Sequence, residues 1–211
     1  PNQDTIICVD GQIDDLEVDP DGPGSINWEW QLNSGTGWNQ VSTGTATDAT
    51  TNPSHTALTN QAGIYNYRCI VTFSSGGCDS VISSNITIEI VDDPSLSVLM
   101  PPDAICEGGS IATDLSVTPS GGTGTATYTW FEVSPNPGQL QTGPDSFFNP
   151  GILSPAGIYE YYVELDYDGN GCNSYPSNIV QINVEPDPSA DPIDITQTVC
   201  EQSSVSSADT L

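Results

Sequence analysis

Six cysteines are the residues of this chain best suited to covalent chemistry: Cys8, Cys69, Cys78, Cys106, Cys172 and Cys200. None belongs to a C-x-x-C pair, so the usual zinc-knuckle spacing is missing. Cysteines that recur through small domains point instead to disulfides and an oxidising exterior. Other reactive groups are sparse. His55 is the one histidine, in a polar loop before a strand. A Ser-His-Asp device would have to use it, yet no Gly-x-Ser-x-Gly elbow accompanies it. Among 28 acidic residues, chance carboxylate pairs are expected, so a pair spaced for glycoside hydrolysis carries little weight. The residues therefore argue for a chain that is not an enzyme.

Two stretches suggest ligands. Asp166-Tyr167-Asp168-Gly169-Asn170-Gly171 puts Asp166, Asp168 and Asn170 in the order of part of a calcium loop, with a glycine for the sharp turn. The closing glutamate of a full twelve-residue loop is absent, and Asp-Gly-Asn-Gly is also a good hairpin turn. Calcium is the one cofactor the sequence suggests. Trp38 lies beyond the Trp28/Trp30 face and could stack on a sugar; capping the edge of a sheet is the alternative.

The charge narrows the partners. One basic residue, Arg68, stands against the acids, for a net charge of -27. Such a chain repels phosphate backbones and anionic membrane surfaces, which excludes nucleic acid as a partner. No apolar run reaches membrane-spanning length, so membrane insertion is not expected. The lack of an initiator Met and of a signal peptide fits a processed or excised piece.

The elements that carry these residues come in two copies. Residues 62–95 (AGIYNYRCIVTFSSGGCDSVISSNITIEIVDDPS) return as residues 156–189 (AGIYEYYVELDYDGNGCNSYPSNIVQINVEPDPS), at an offset of 93 to 94. A period this long is a tandem array of whole domains. Gly, Pro, Ser and Thr abound and helix-forming blocks are missing, so the fold class is all-β. Ile26, Trp28, Trp30 and Leu32 alternate with polar residues along one strand, and TYTWFEV at 127–133 supplies its counterpart. Trp38 follows the turn of a hairpin. The division expected is 1–93, 94–188 and, from Thr198-Val199-Cys200-Glu201 repeating Ala104-Ile105-Cys106-Glu107, the start of a third repeat in 189–211. The Pro-rich joints after each copy read as semi-rigid spacers.

A central Trp strand followed by a Tyr-rich strand entered through a Gly corner resembles immunoglobulin-like β-sandwiches. The usual cysteine on the Tyr-rich strand is not shared, because Cys69 aligns with Val163. An early cysteine (Cys8, Cys106) and a late Gly-Cys (Cys78, Cys172) recur instead. Disulfides Cys8–Cys78 and Cys106–Cys172 are expected, each closing most of a repeat and worth about 4 kcal/mol in the chain-entropy model. Cys69 is then left as a buried thiol; a Cys8–Cys69 bridge is the competing assignment.

Trp28, Trp30, Gln31, Gly37, Trp38, Tyr65, Tyr67, Arg68, Gly76, Gly77, Cys78, Ser84, Asn85, Ile88 and Ile90 together resemble the immunoglobulin-like repeats of giant Bacteroidetes surface proteins, including gliding-motility adhesins exported by type IX secretion. The resemblance covers both repeats. It implies an extracellular, cell-surface stalk or filament that displays adhesive regions. Its partners would be neighbouring repeats of the same chain, surface polysaccharide or other cell-surface proteins. It also implies O-glycosylation at Asp-Ser/Thr-aliphatic sites, here Thr5, Ser80 and Thr210. A polysaccharide- or protein-binding module of a secreted multidomain protein is the alternative.

Overall fold

The computed structural model describes residues 5–75 and 79–189. It is all-β: among the described residues there is no helix. In the first repeat the strands are β1 (Thr5–Cys8), β2 (Leu16–Glu17), β3 (Ile26–Asn33), β4 (Asn39–Ala46), β5 (Ser54–His55), β6 (Gly63–Phe73), β7 (Val81–Ile82) and β8 (Ile86–Val91). The joint holds β9 (Ser95–Leu96). The second repeat has β10 (Ile105–Cys106), β11 (Leu115–Ser116), β12 (Pro119–Ser120), β13 (Ala126–Ser134), β14 (Gly138–Gly143), β15 (Phe147–Phe148), β16 (Gly157–Tyr167), β17 (Tyr175–Pro176) and β18 (Val180–Glu185).

The two copies share one topology. Their main sheets run β1-β8-β6-β3-β4 and β10-β18-β16-β13-β14, and the small opposing sheets are β2-β5 and β11-β15. The first strand of each main sheet is parallel to the last; the others are antiparallel. A broad sheet facing a narrow one, with the Trp strand beside the Tyr strand, is an immunoglobulin-like sandwich. Alternation along β6 and β16 sends every second residue inward: Tyr65, Tyr67, Cys69 and Val71 in the first, Tyr159, Tyr161, Val163 and Leu165 in the second.

Each sandwich has its own core. Ile7, Leu16, Ile26, Trp30, Tyr67, Cys69, Val71 and Ile88 lie in the first. Leu99, Leu115, Tyr128, Trp130, Tyr161, Val163, Leu165 and Ile182 lie in the second. Trp30 faces Cys69 across the β3-β6 pair, and Trp130 faces Val163 in the same place. Cys69 is fully buried and unbridged, as the sequence led us to expect. Burial pushes its thiol up to about 12, against a smaller lowering by a backbone hydrogen bond at Glu29. The corners also match. Tyr65 Oη donates to the Gln61 carbonyl at 3.1 Å, and Tyr159 Oη to the Pro155 carbonyl at 2.9 Å, each four residues upstream.

The last strand of each sheet is interrupted, and a serine fills the gap. Ser83 N–H donates to the Cys69 carbonyl (2.9 Å), while Cys69 N–H donates to Ser83 Oγ (2.9 Å). Ser177 does the same for Val163, at 2.8 and 3.0 Å. The hydroxyl stands in for a missing ladder carbonyl beside a fully buried residue. Ser177→Ala should leave the Val163 N–H without a partner and cost about 1–3 kcal/mol. In a sandwich of this size that is roughly 4–8 °C of melting temperature per kcal/mol, to be read by calorimetry. Ser177→Thr, which keeps the hydroxyl, should recover most of it.

The joint is not a spacer. Ser95 and Leu96 pair with Ser120 and Pro119 as a small antiparallel ribbon. Gly122 N–H donates to the Asp92 carbonyl at 2.8 Å, and Asn173 Nδ2 to Asp93 Oδ2 at 3.3 Å. The peptide groups that would leave a Pro-rich linker free are tied to the second repeat.

Candidate functional site: the junction between the repeats

Strand direction decides where each cysteine goes. Because β1 runs parallel to β8, Cys8 sits at the end of the first sheet where β8 finishes and β6 begins: Cys8 is level with Val91, and Gly63 with Ile90. Cys106 occupies the matching end of the second sheet, level with Glu185 and next to the Val184–Gly157 pair. Cys172 follows the far end of β16. That strand is eleven residues long, or about 34 Å from end to end. Cys106 and Cys172 are therefore at opposite ends of one sandwich, and the expected Cys106–Cys172 bridge is corrected: Cys106 is an exposed free thiol.

The expected Cys8–Cys78 bridge is corrected with it. Cys8 is bonded to Cys172, 164 residues away, with the Cα atoms 4.9 Å apart. The partner is in the other repeat, because the Cys8 end of the first sandwich abuts the Cys172 turn of the second. The competing Cys8–Cys69 assignment falls as well. Cys78, Cys200 and Thr210 lie outside the described residues, as does the third-repeat stretch from residue 190.

The bridge is the centre of a close backbone contact. Cys8 N–H donates to the Asn170 carbonyl at 2.9 Å. The Asn170 side chain then grips the Gln12 backbone in both directions. Its Oδ1 accepts from Gln12 N–H at 3.0 Å, and its Nδ2 donates to the Gln12 carbonyl. Gly11 and Gly171 allow the approach. A Cβ on Gly171, whose φ is +81°, would stand 2.3 Å from Gly11 Cα, and one on Gly11 would meet the Asn170 carbonyl at 2.9 Å. Backbone sits on both sides of that clash, so no side chain could swing away to relieve it.

Asp168 Oδ1 accepts from Thr125 N–H at 2.6 Å and ties its turn to the residue before β13. Asp166 lies on the exposed face of β16, and Asn170 is committed to Gln12. Among the described residues no group of three His, Cys, Asp or Glu is gathered for a metal ion. Trp38 lies under the Arg68 guanidinium, 4.0 Å from ring centroid to Cζ, and Arg68 Nε donates to Gln31 Oε1 at 2.8 Å. The face that would stack on a sugar is thus covered by the single cation of the chain. Ser80 is exposed, its Oγ 2.8 Å from Thr72 Oγ, whereas Thr5 is half-buried in the β1 ladder.

His55 is a core-facing residue on β5, not the loop residue the sequence suggests. It stacks on Trp30 (5.9 Å between centroids), tilts against Tyr67 (5.6 Å) and shares a 3.0 Å hydrogen bond with Ser42. Phe148 has the same place in the second repeat, against Trp130 and Tyr161. The offset of 93 between His55 and Phe148 was the available signal. Burial lowers the pKa of His55, with a smaller opposing pull from Asp15. As pH falls below about 6.5 the unfolded chain takes up this proton before the folded chain does, so the contribution of His55 to stability is full above that pH and is lost below it. The loss of acidic self-repulsion acts in the other direction, so the test is a difference. The unfolding free energy of His55→Phe minus that of the parent chain should rise as pH goes from 7 to 5, measured by denaturant titration.

No protein-family model matches the chain, and no curated protein matches it in sequence. Solved structures similar to it include three N-terminal domains of the bacteriophage RB49 highly immunogenic outer capsid protein (12% identity, 87% of this chain and 68% of that one, TM-score 0.49). Others are the fibronectin(III)-like modules of Clostridium thermocellum CbhA (14%, 88% and 92%, TM-score 0.33) and an amphioxus IgVJ-C2 molecule (16%, 86% and 99%, TM-score 0.39). The tandem immunoglobulin-like architecture rests on the topology and cores described above.

Proposed function

We propose that this chain is a non-catalytic segment of an extracellular repeat array, a stalk belonging to a large cell-surface adhesin or filament. Its sandwiches are residues 1–93 and 94–188, with a third beginning in 189–211. The observation that carries this reading is the Cys8–Cys172 bridge with its Asn170 clamp. It spends a disulfide on fixing one repeat against the next, which serves to transmit force or hold a direction and needs an oxidising compartment. The net charge of -27 keeps such an array soluble and discourages it from folding back on itself. Adhesion in gliding motility and export by type IX secretion are the finer form of the proposal, supported by the sequence resemblance. Ser80 is the exposed candidate for O-glycosylation.

Small-angle scattering and a glycan array test the role together. The oxidised chain should show a single fixed inter-repeat geometry and bind no glycan. Saturable binding of a polysaccharide by this piece alone would replace the stalk with the binding-module reading.

A further inference from the structure

The end of the second repeat that matches the Cys8 end of the first is built to the same plan. Cys8-Val9-Asp10-Gly11 and Cys106-Glu107-Gly108-Gly109 form equivalent turns. Gly11 N–H donates to the Cys8 carbonyl and Gly109 N–H to the Cys106 carbonyl, both at 3.0 Å. Asp10 N–H reaches Thr59 (2.8 Å) where Gly108 N–H reaches Leu153 (2.9 Å), and Val9 N–H reaches Val91 (3.0 Å) where Glu107 N–H reaches Glu185 (2.8 Å). The third residue is left-handed in both, with φ of 63° at Asp10 and 77° at Gly108.

The difference lies in what covers the turn. Cys8 and Gly11 are buried beneath the Asn170-Gly171-Cys172 turn, whereas Cys106 is exposed and Gly109, the counterpart of Gly11, is half-buried. Among the described residues, the atoms nearest a Cβ on Gly109 all belong to its own turn: the Cys106 carbonyl and the Ile105 side chain. Gly109 thus leaves open, on its outer side, the approach that Gly11 gives to Asn170. Asn170 recognises backbone at Gln12, so serine at position 110 presents the same donor and acceptor. Since the equivalent turn in this molecule already holds its partner, the chemistry of the partner is on view: a Gly-Cys turn like that of Cys172. The sequence after the second joint renews the repeat with Thr198-Val199-Cys200-Glu201.

We propose that Cys106 and its turn are the seat for a further repeat of the same kind. Its Gly-Cys turn docks on Gly109 and Ser110, and its cysteine closes a disulfide with Cys106. The bridges of the array then run from the early cysteine of one repeat to the late cysteine of the next. The bond forms by thiol–disulfide exchange: two protein thiols give one disulfide while one oxidised glutathione becomes two glutathione thiols. This inference rests on the array reading for its occupant.

The test extends the chain by following residue 188 with a second copy of residues 95–189, the copy marked by Tyr175→Phe to give it a distinct mass. After oxidation in a glutathione buffer, free thiols are alkylated and the protein is cleaved after glutamate. Expected is fragment 90–107 joined to the marked copy of fragment 165–185, with fragment 1–17 joined to the unmarked one. Cys172→Ser in the appended copy should leave Cys106 alkylated. Cys106 alkylated in the unsubstituted extended chain, or bonded within its own repeat, while the Cys8–Cys172 bridge is present, would overturn the proposal and leave the array reading standing. Absence of both bridges would overturn both.

Discussion

Cys172→Ser is expected to leave both sandwiches folded and to loosen one from the other. Each core is drawn from one repeat alone, so neither loses apolar burial when the bridge goes. What is lost is the constraint on the contact. A separation of 164 residues corresponds to a ceiling of about 5 kcal/mol in the chain-entropy model. The ribbon at Ser95–Leu96 and the Asp92–Gly122 bond already hold the repeats together, so the net effect should be nearer about 2–3 kcal/mol. At 1.4 kcal/mol per decade, that is roughly a hundredfold loss of amide-exchange protection at the junction. The Cys8 and Gln12 amides, which donate to Asn170, should lose it. The Val163 and Cys69 amides, deep in their own sheets, should not. Equal loss at all four would mean that the bridge holds the sandwiches themselves together.

Trp30→Ala should unfold the first repeat and spare the second. Trp30 is fully buried at the middle of β3, stacked on His55 and facing Cys69. Removing a buried tryptophan costs about 3–5 kcal/mol in transfer and cavity terms. A domain of this size has about 5–15 kcal/mol in total, so the first repeat becomes marginal. Its indole Nε1 has no hydrogen-bond partner among the described residues, so the substitution strands no polar group there and the loss is one of packing. Trp130 Nε1 donates to the Asp145 carbonyl at 3.4 Å, so Trp130→Ala also removes a partner from that carbonyl. Calorimetry of the Trp30→Ala chain should show one early transition and one at the parent temperature. A single early transition for the whole chain would show that the repeats stand or fall together.

Much of the fold was legible because the two copies repeat their inward-facing residues. Trp30 and Trp130, Tyr65 and Tyr159, and Cys69 and Val163 hold matching places in the sheets, as the offset implied. The bridge was not legible for a definite reason. Every repeat carries an early and a late cysteine, so recurrence is identical whether the pair closes within a repeat or across two. Only the parallel placement of β1 against β8 sends the early cysteine to the end remote from the late one. The grip of Asn170 on the Gln12 backbone is not legible because the two lie 158 positions apart. The core-facing place of His55 is not legible because the two-residue strand that turns it toward Trp30 has no alternation to betray it. The cover of Arg68 over Trp38 is hidden in the sequence because Trp38 lies just before β4 and Arg68 on β6.

The most direct measurement is a disulfide map of the unreduced 211-residue chain. Cleavage after glutamate places Cys8 in fragment 1–17, Cys69 and Cys78 in 30–89, Cys106 in 90–107 and Cys172 in 165–185. Expected is fragment 1–17 linked to 165–185. Fragment 1–17 linked to 30–89, or 90–107 linked to 165–185 of the same chain, would contradict a junction fixed between repeats.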